Sequence, residues 1–495
     1  MSKQHIAKSA LWVVISEIVF NLSGYIIHSV VGRILGPADY GRYGLVVTLT
    51  TMVIILIGNG IPTAMAKYIS EIFDSNPAMV LAIKRRAIFL QSAIIGSITL
   101  LFYLLSPLIA RILGDPTLTH LFRISTLIIP AFAAASFYFS YYTGLHLFNL
   151  QSILKVSRSA VKVIAIILLA YFFHLKGSIV GYILAPASVF LIAWLIDRFS
   201  VTKKIRAQIT AQKLETASFP WQKLTNYAWQ IIIFFLAYEL LISIDLYLVK
   251  GILHSDYQTG IYNAALTVGR IPYYIFYALT VILLPTISKS TSENNHAETN
   301  KIINQSLKVM IILLVPAVVL MSVFAEPIIR IFYTSKYIDA AAPMAILVGG
   351  VGFLTIFYVM SFVSNGAGKT KRPMLISIFG LVINTILNYI LIKKYALIGS
   401  AIATSISSLI VMLVALYYIR KDFKITLKIK NYLKIIFAGI IMYSLSLFFS
   451  QGRFIFILWA IILLFIYFAI LYFMGEIEKE EIIFFRKMLF RKNNK

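Results

Sequence analysis

Val163-Ile-Ala-Ile-Ile-Leu-Leu-Ala-Tyr-Phe-Phe173 runs without a charge. His174-Leu-Lys-Gly-Ser178 interrupts it, and Ile179-Val-Gly-Tyr-Ile-Leu-Ala-Pro-Ala-Ser-Val-Phe-Leu-Ile-Ala-Trp-Leu-Ile196 is uncharged again. With the residues just before Val163, each block approaches the ~20 residues that cross a hydrocarbon core. Lipid offers the backbone no hydrogen-bond partner, so each block must be a helix. Reading outward along the 495 residues gives fourteen apolar spans, from Ser9–Val31 to Phe454–Phe473. Hydrophobic residues make up 60% and charged residues 13%, well below the ~25% charge of a soluble domain. The fold class is an all-α membrane protein with about 14 transmembrane helices, and soluble enzymes are excluded.

Charge placement gives the orientation. There are 45 Lys and Arg against 19 Asp and Glu, a net charge of +26. With Met1 inside, the inner segments and the span ends adjoining them hold 32 of the 45, and the outer segments 11. Positive charge favours the cytoplasmic side, so both termini are expected there, in a cell membrane. The basic excess is then a topology signal with some attraction to anionic lipid, and no nucleic-acid partner is expected. There is no cysteine, which excludes disulfides and thiolate metal sites. The seven histidines show no metal-ligand spacing. Gly366-Ala-Gly-Lys-Thr370 lacks the earlier glycine of a phosphate loop. No catalytic constellation, metal site or nucleotide cofactor is expected, and the chain does not read as an enzyme.

The two halves echo each other. Val31-Gly-Arg-Ile-Leu-Gly-Pro-Ala-Asp39-Tyr40 follows span one, and Val249-Lys-Gly-Ile-Leu-His-Ser-Asp256-Tyr257 follows span seven. Pro62-Thr63 is matched by Pro285-Thr286, Gly144 by Gly366, and Gly177-Ser178 by Gly399-Ser400. Six spans therefore repeat in the same orientation, and two follow. The expected organisation is an N-terminal lobe (1–200), a cytoplasmic linker (201–221), a C-terminal lobe (222–420), spans thirteen and fourteen (431–475) and a tail (476–495). An even number of spans per repeat gives parallel repeats about an axis along the membrane normal, as in alternating-access transporters.

These landmarks resemble the multidrug/oligosaccharidyl-lipid/polysaccharide exporter superfamily, and within it the polysaccharide-type flippases. Gly32-Arg-Ile-Leu-Gly-Pro-Ala-Asp-Tyr-Gly-Arg-Tyr43 and Gly60-Ile-Pro-Thr-Ala-Met-Ala-Lys-Tyr-Ile-Ser-Glu71 are similar to their first hairpin. Ser364-Asn-Gly-Ala-Gly-Lys-Thr-Lys-Arg-Pro373 and Ile398-Gly-Ser-Ala-Ile-Ala403 are similar to their second half. The resemblance implies a two-lobed bundle of twelve core helices that moves a polyprenyl-diphosphate-linked glycan from the inner to the outer leaflet. Implied partners are that glycolipid, membrane lipids and glycan-assembly proteins, with a monomer as the working unit. Gly269-Arg-Ile-Pro272 is similar to the eighth span of lipid II flippases, which implies a phosphate-site role for Arg270. Asn21 stands where that branch has an arginine, and Ile27-His28 where it has an Arg-Asp pair. These departures point to a lipid-linked glycan other than lipid II.

Charge inside a bilayer is costly and marks functional positions. Arg270 lies in span eight, and a guanidinium fork suits a diphosphate; a salt bridge is the structural alternative. Arg158 and Lys162, one turn apart in span five with Lys155 before them, form a basic stripe, read either as diphosphate capture or as snorkelling to lipid phosphates. Asn21 and Lys67 complete the substrate-binding candidates. Glu17, Glu239 and Asp245 are the coupling candidates, able to take H⁺ or Na⁺ or to sit in fixed ion pairs. Tyr25, Tyr138, Tyr141, Tyr142, Tyr273, Tyr274 and Tyr277 read as sugar-stacking walls or, more simply, as packing. Pro130, Pro186, Pro272, Pro316 and Pro343 permit kinks. The acids also keep open a cation-coupled drug exporter of the same superfamily. A membrane glycan polymerase or ligase is the more remote alternative, since no outer loop is large enough for a catalytic domain.

Overall fold

The computed structural model describes residues 3–58, 60–73, 76–211, 219–274, 295–423, 429–448 and 455–476, and positions 276, 283, 287, 290, 291, 293 and 425. Side chains at 3–15, 17, 55–58, 211, 221, 223–232 and 429 lie outside that description. Tyr277, the Glu17 side chain and the tail beyond Glu476 therefore lie outside the described residues. The described chain is helical, and eight of its helical stretches are long and apolar enough to cross a membrane. It is a multi-pass membrane protein with two compact units, Met1–Leu240 and Leu241–Lys495.

The first unit begins with α1 (Lys3–Gly58), which is two helices joined at Gly36, φ 73°. Pro37 disfavours the helical conformation for the residue before it, and glycine takes the left-handed conformation at least cost. α2 (Ile61–Ile72), α3 (Pro77–Ile112), α4 (Leu118–Ser125) and α5 (Ile128–Gly144) follow. α6 (Phe148–Ile196) again contains two helices, joined at His174, φ 50° and ψ −132°. A π-helical turn at Asp197–Val201 leads into α7 (Thr202–Ala211). Lys84 at the start of α3 meets Asp197 in a buried ion pair. Thr202 completes it, accepting from Lys84 at 3.1 Å and donating to Asp197 at 2.9 Å. The Lys84 ammonium also lies 4.4 Å from the ring of Tyr141.

α8 (Trp221–Leu253) leads into the second unit, followed by α9 (Asp256–Gly269), α10 (His296–Val323), α11 (Ala325–Phe332) and α12 (Ala341–Gly366). α13 (Lys371–Phe423) is a third broken helix, joined at Ala396, φ 47° and ψ −126°. α14 (Ile429–Ser446) and α15 (Ile455–Phe473) pack on α10. Tyr467 donates to the Ile312 carbonyl at 3.0 Å. Buried Glu476 binds Lys434 at 2.9 Å and Lys308 at 3.6 Å.

The repeat is visible in the backbone. His174 and Ala396 are 222 positions apart and share nearly one conformation. His146 and Gly368, also 222 apart, both have positive φ. A Cβ on Gly177 would collide with the Leu169 carbonyl, and one on Gly399 with the Leu391 carbonyl. Leu169 and Leu391 are 222 apart too. Each glycine lets the returning helix touch the backbone of the one it has just left. The joints fall at these positions and not at every proline, since α6 passes Pro186 and α10 passes Pro316 without a non-helical residue.

Candidate functional site

Lys155, Arg158 and Lys162 lie on the first helix of α6, spaced three and four residues apart, so they share one face. That face meets α1 at Phe20. The ring centroid of Phe20 lies 5.4 Å from the Lys155 ammonium, 5.2 Å from the Arg158 guanidinium carbon and 5.6 Å from the Lys162 ammonium. All three are within cation–π range. Arg158 is only 4% exposed. Its guanidinium is enclosed further by Phe132 at 4.6 Å and Phe139 at 4.7 Å, both on α5. Lys162 also contacts Tyr182 at 4.2 Å, on the second helix of α6. The structure thus gathers the basic stripe around one phenyl ring, with Asn21 half-buried beside it on α1.

Lys67 is separate. It is exposed on α2, with its ammonium 5.5 Å from the ring of Tyr68. Glu239 is half-buried on α8 and belongs to the first unit. Of the tyrosines, Tyr141 and Tyr142 are fully buried. Tyr142 donates to the Ala193 carbonyl at 2.6 Å, which makes it a packing residue.

The second unit holds a polar network around Asp245, which is completely buried on α8. Its carboxylate accepts from the Leu246 amide at 2.8 Å, the Tyr262 hydroxyl at 3.0 Å and the Thr404 hydroxyl at 3.2 Å. Thr404 also lies 3.4 Å from Asn384 Oδ1. Asn388 donates to Asn384 Oδ1 at 2.7 Å, and Ser400 donates to Asn388 at 2.6 Å. Asn384 reaches back to α8 and donates to the Leu241 carbonyl at 2.9 Å. Arg270 donates to the Ile242 carbonyl, three residues before Asp245 on α8. Arg270 sits where α9 ends, because Pro272 has no N–H to offer the Val268 carbonyl. The Arg270 amide bonds Leu266 and Val268 instead. Side chains from three helices therefore converge on one short stretch of α8. Arg270 and Asp245 are brought together in this unit, and Arg158 and Lys162 in the other.

A sequence model for polysaccharide biosynthesis proteins matches residues 6–291, more than half of the chain. The chain belongs to that family. A second model, MatE, matches residues 231–390. Among the relatives of this chain is an uncharacterized membrane protein of Methanocaldococcus jannaschii, 23% identical over 458 residues, covering 88% of each chain. The lipid II flippase MurJ of Thermosipho africanus is 31% identical over 178 residues, 34% of this chain and 36% of that one. The probable low-salt glycan biosynthesis flippase Agl15 of Haloferax volcanii is 28% identical over 160 residues, 32% and 33% of the two chains. In fold the protein is similar to lipid II flippase MurJ in an inward closed conformation, with TM-score 0.72 at 20% identity, covering 94% of this chain and 98% of that one. An inward-facing MATE transporter of the MOP superfamily gives TM-score 0.70 at 14% identity, covering 84% and 98%.

For this family member, sequence reasoning missed the aromatic partners of the basic stripe and the neutral partners of Asp245. Phe20, Phe132 and Phe139 look like ordinary lipid-span residues, so no signal marked them. Asn384 and Asn388 did carry one. Two amides four residues apart in an apolar span must find polar partners, because an unsatisfied amide in a dry interior is costly.

Proposed function

We propose that this chain is a flippase that carries a polyprenyl-diphosphate-linked oligosaccharide from the cytoplasmic to the outer leaflet, for cell-surface glycan assembly. The observation that carries the proposal is the gathering of Lys155, Arg158 and Lys162 around Phe20 on a membrane-length helix. Cations held at membrane depth need a reason, and an anionic head group that must cross supplies one. The polyprenyl tail stays in lipid throughout. The names of the MurJ and Agl15 relatives point to the same substrate class.

In this mechanism the diphosphate first meets the basic stripe, with both termini cytoplasmic and the protein in the cell membrane. Arg158 offers a planar fork to two phosphate oxygens, while Lys162 and Lys155 act as point charges. Lobes 1–200 and 222–420, joined by the linker 201–221, then alternate access. Spans thirteen and fourteen (431–475) flank them, and the tail follows. Asp245 is the coupling group. Its pocket is rich in oxygen donors, with Asn384, Thr404 and Tyr262 beside it, and suits H⁺ or Na⁺. A cation taken up there neutralises Asp245, three residues along α8 from the carbonyl that holds Arg270, and leaves more of that positive charge for phosphate. Linkage is reciprocal, so phosphate at Arg270 favours cation uptake at Asp245.

The test follows the lipid-linked glycan in cells depleted of the protein, using a leaflet-impermeant probe. Accumulation on the inner leaflet, rescued by wild type but not by Arg158→Gln, is expected. Absence of accumulation removes the flippase reading. The MatE match favours one second reading, a cation-coupled drug exporter. That reading predicts loss of drug tolerance in Asp245→Asn with glycan sidedness unchanged.

A further inference from the structure

We propose that the first unit carries a second site, a receptor for the phosphate head group of an outer-leaflet lipid, in the cavity that Arg42, His120, His174 and Lys176 share. It goes beyond the flippase reading and takes from it only the orientation that puts this face outside. The connections after spans one, three and five build the site. They enclose a cavity of about 450 Å³, a size that suits a lipid head group. Beside it Tyr171, Phe172 and Phe173 end an apolar run and are 68%, 63% and 64% exposed. Aromatic residues that lead from an apolar span into charge sit at the membrane–water interface, the depth of lipid phosphates.

The basic groups differ in how they are held. Arg42 is fixed, its guanidinium donating to the Thr117 hydroxyl at 3.0 Å and to Asp115 at 3.3 Å. Asp115 is buried, and its other oxygen accepts from the Thr117 amide at 3.1 Å and the Thr117 hydroxyl at 2.6 Å. That carboxylate is thus turned into its own loop and not into the cavity. His120, His174 and Lys176 are exposed. Among the described residues, these three have no hydrogen bond, ion pair or ring contact within the protein. With Arg42 balanced by Asp115, Lys176 leaves the cavity positive, and each imidazole offers an N–H in either charge state. A phosphate diester, with one negative charge and two free oxygens, matches that set.

Two observations separate this site from ordinary solvated charge. Lys and Arg are disfavoured on the outer face, so cations collected there need a reason. The helix joint does not supply one. At the offset of 222, His120, His174 and Lys176 correspond to Ala342, Ala396 and Ile398. In the register that matches Asp39-Tyr40 with Asp256-Tyr257, Arg42 corresponds to Thr259. Ala396 has nearly the backbone conformation of His174. The second unit therefore builds the same joint with none of the four basic side chains. Its own lysines, Lys393 and Lys394, precede the joint, and Lys393 donates to Tyr389 of the same helix at 2.6 Å.

The experiment titrates the purified full-length protein with dioctanoyl phosphatidylglycerol and reads binding by thermophoresis. Dioctanoylglycerol, with the same tails and no phosphate, is the reference and is expected not to bind. H120A/H174A/K176Q is expected to raise the phospholipid half-saturation about tenfold, which is ~1.4 kcal/mol. All three side chains are exposed, and Ala396 shows that alanine accepts the His174 backbone, so the variant folds. K176R and K393Q/K394Q are expected to bind as wild type does. Farnesyl-diphosphate N-acetylglucosamine, titrated in the R158Q/K162Q background, identifies the source of the phosphate. If the triple variant weakens it, the site is an exit stop for the transported lipid. If only the phospholipid is weakened, the site holds a resident lipid, and either result supports the proposal. Indifference of both phosphate lipids to the triple variant, or an equal loss in K393Q/K394Q, overturns it. Phe172→Cys in this cysteine-free chain is expected to react with an impermeant maleimide in whole cells, and reaction only after lysis overturns the outer placement. Glycan sidedness keeps the two readings apart. If R158Q fails to rescue it while the triple variant binds both lipids normally, the flippase stands and this site falls. If R158Q rescues it while the triple variant loses the phospholipid, this site stands without the diphosphate stripe.

Discussion

Replacing Asp245 by Asn and by Ala separates a coupling carboxylate from a structural one. In wild type, three donors converge on the carboxylate, from Leu246, Tyr262 and Thr404 at 2.8, 3.0 and 3.2 Å. Asn keeps one oxygen for the fixed Leu246 amide. It turns its NH₂ toward the two hydroxyls, which rotate to accept. Each bond falls from charge-assisted to neutral, a loss of about 1 kcal/mol apiece. Against this, a buried charge no longer has to be desolvated, a term of several kcal/mol. The two effects nearly cancel, so D245N is expected to fold with a stability change within ~2 kcal/mol. Ala offers no acceptor. It strands three buried donors at ~1–3 kcal/mol each, so D245A is destabilised by at least ~3 kcal/mol. Ligand binding supplies the second readout. A cation that binds only the folded protein adds ~2.7 kcal/mol at a hundred times its dissociation constant. Wild type unfolded thermally in nanodiscs should therefore gain stability in NaCl over choline chloride at equal ionic strength, or on acidification if the ion is H⁺. D245N should gain nothing from either. The reasoning is refuted if D245N is as unstable as D245A, or if D245N keeps the full cation-dependent gain.

Three further outcomes follow from the packing. Gly177→Ala and Gly399→Ala each drive a methyl group into a backbone carbonyl that cannot move aside, and each should cost more than ~2 kcal/mol. Gly349→Ala, with nothing within 4 Å of its Cβ, should be neutral or stabilising in the same thermal assay, by up to ~1 kcal/mol. Lys84→Met strands buried Asp197 and should cost ~3–5 kcal/mol, most of it recovered in Lys84→Met/Asp197→Leu; failure of the double variant to recover would mean the pair is not the source of the loss. Glu476→Gln weakens the contacts to Lys308 and Lys434. Half-exposed Lys434 limits the effect to ~1 kcal/mol, seen as faster hydrogen exchange in α15 with α9 unchanged.

The features that could be read from the sequence are those the backbone dictates. Gly144 and Gly366, and Gly177 and Gly399, are landmarks because a side chain there has no room or a turn must form, whatever the lobe does. The structure adds His174 and Ala396 to the set, where one backbone conformation is built from two unrelated side chains. No residue-type pattern could have paired those two. The same offset of 222 applied to the site gives the opposite result. Arg158 maps onto Gly380, Lys162 onto Asn384, and Tyr182 onto Thr404. Lys162 and Tyr182 touch in the first unit, and Asn384 and Thr404 touch in the second. One place in the repeat therefore carries a fixed ammonium in one lobe and neutral oxygens beside buried Asp245 in the other. The chemistry at that place has to differ if one lobe is to receive an anion and the other a cation. A search for internal similarity must fail there, since it finds what the two lobes share. The charged members, Arg158, Lys162 and Asp245, were legible because charge in an apolar span stands out. Phe20, Asn384 and Thr404 give those charges their geometry, and their role follows only from which helices the glycine joints bring together.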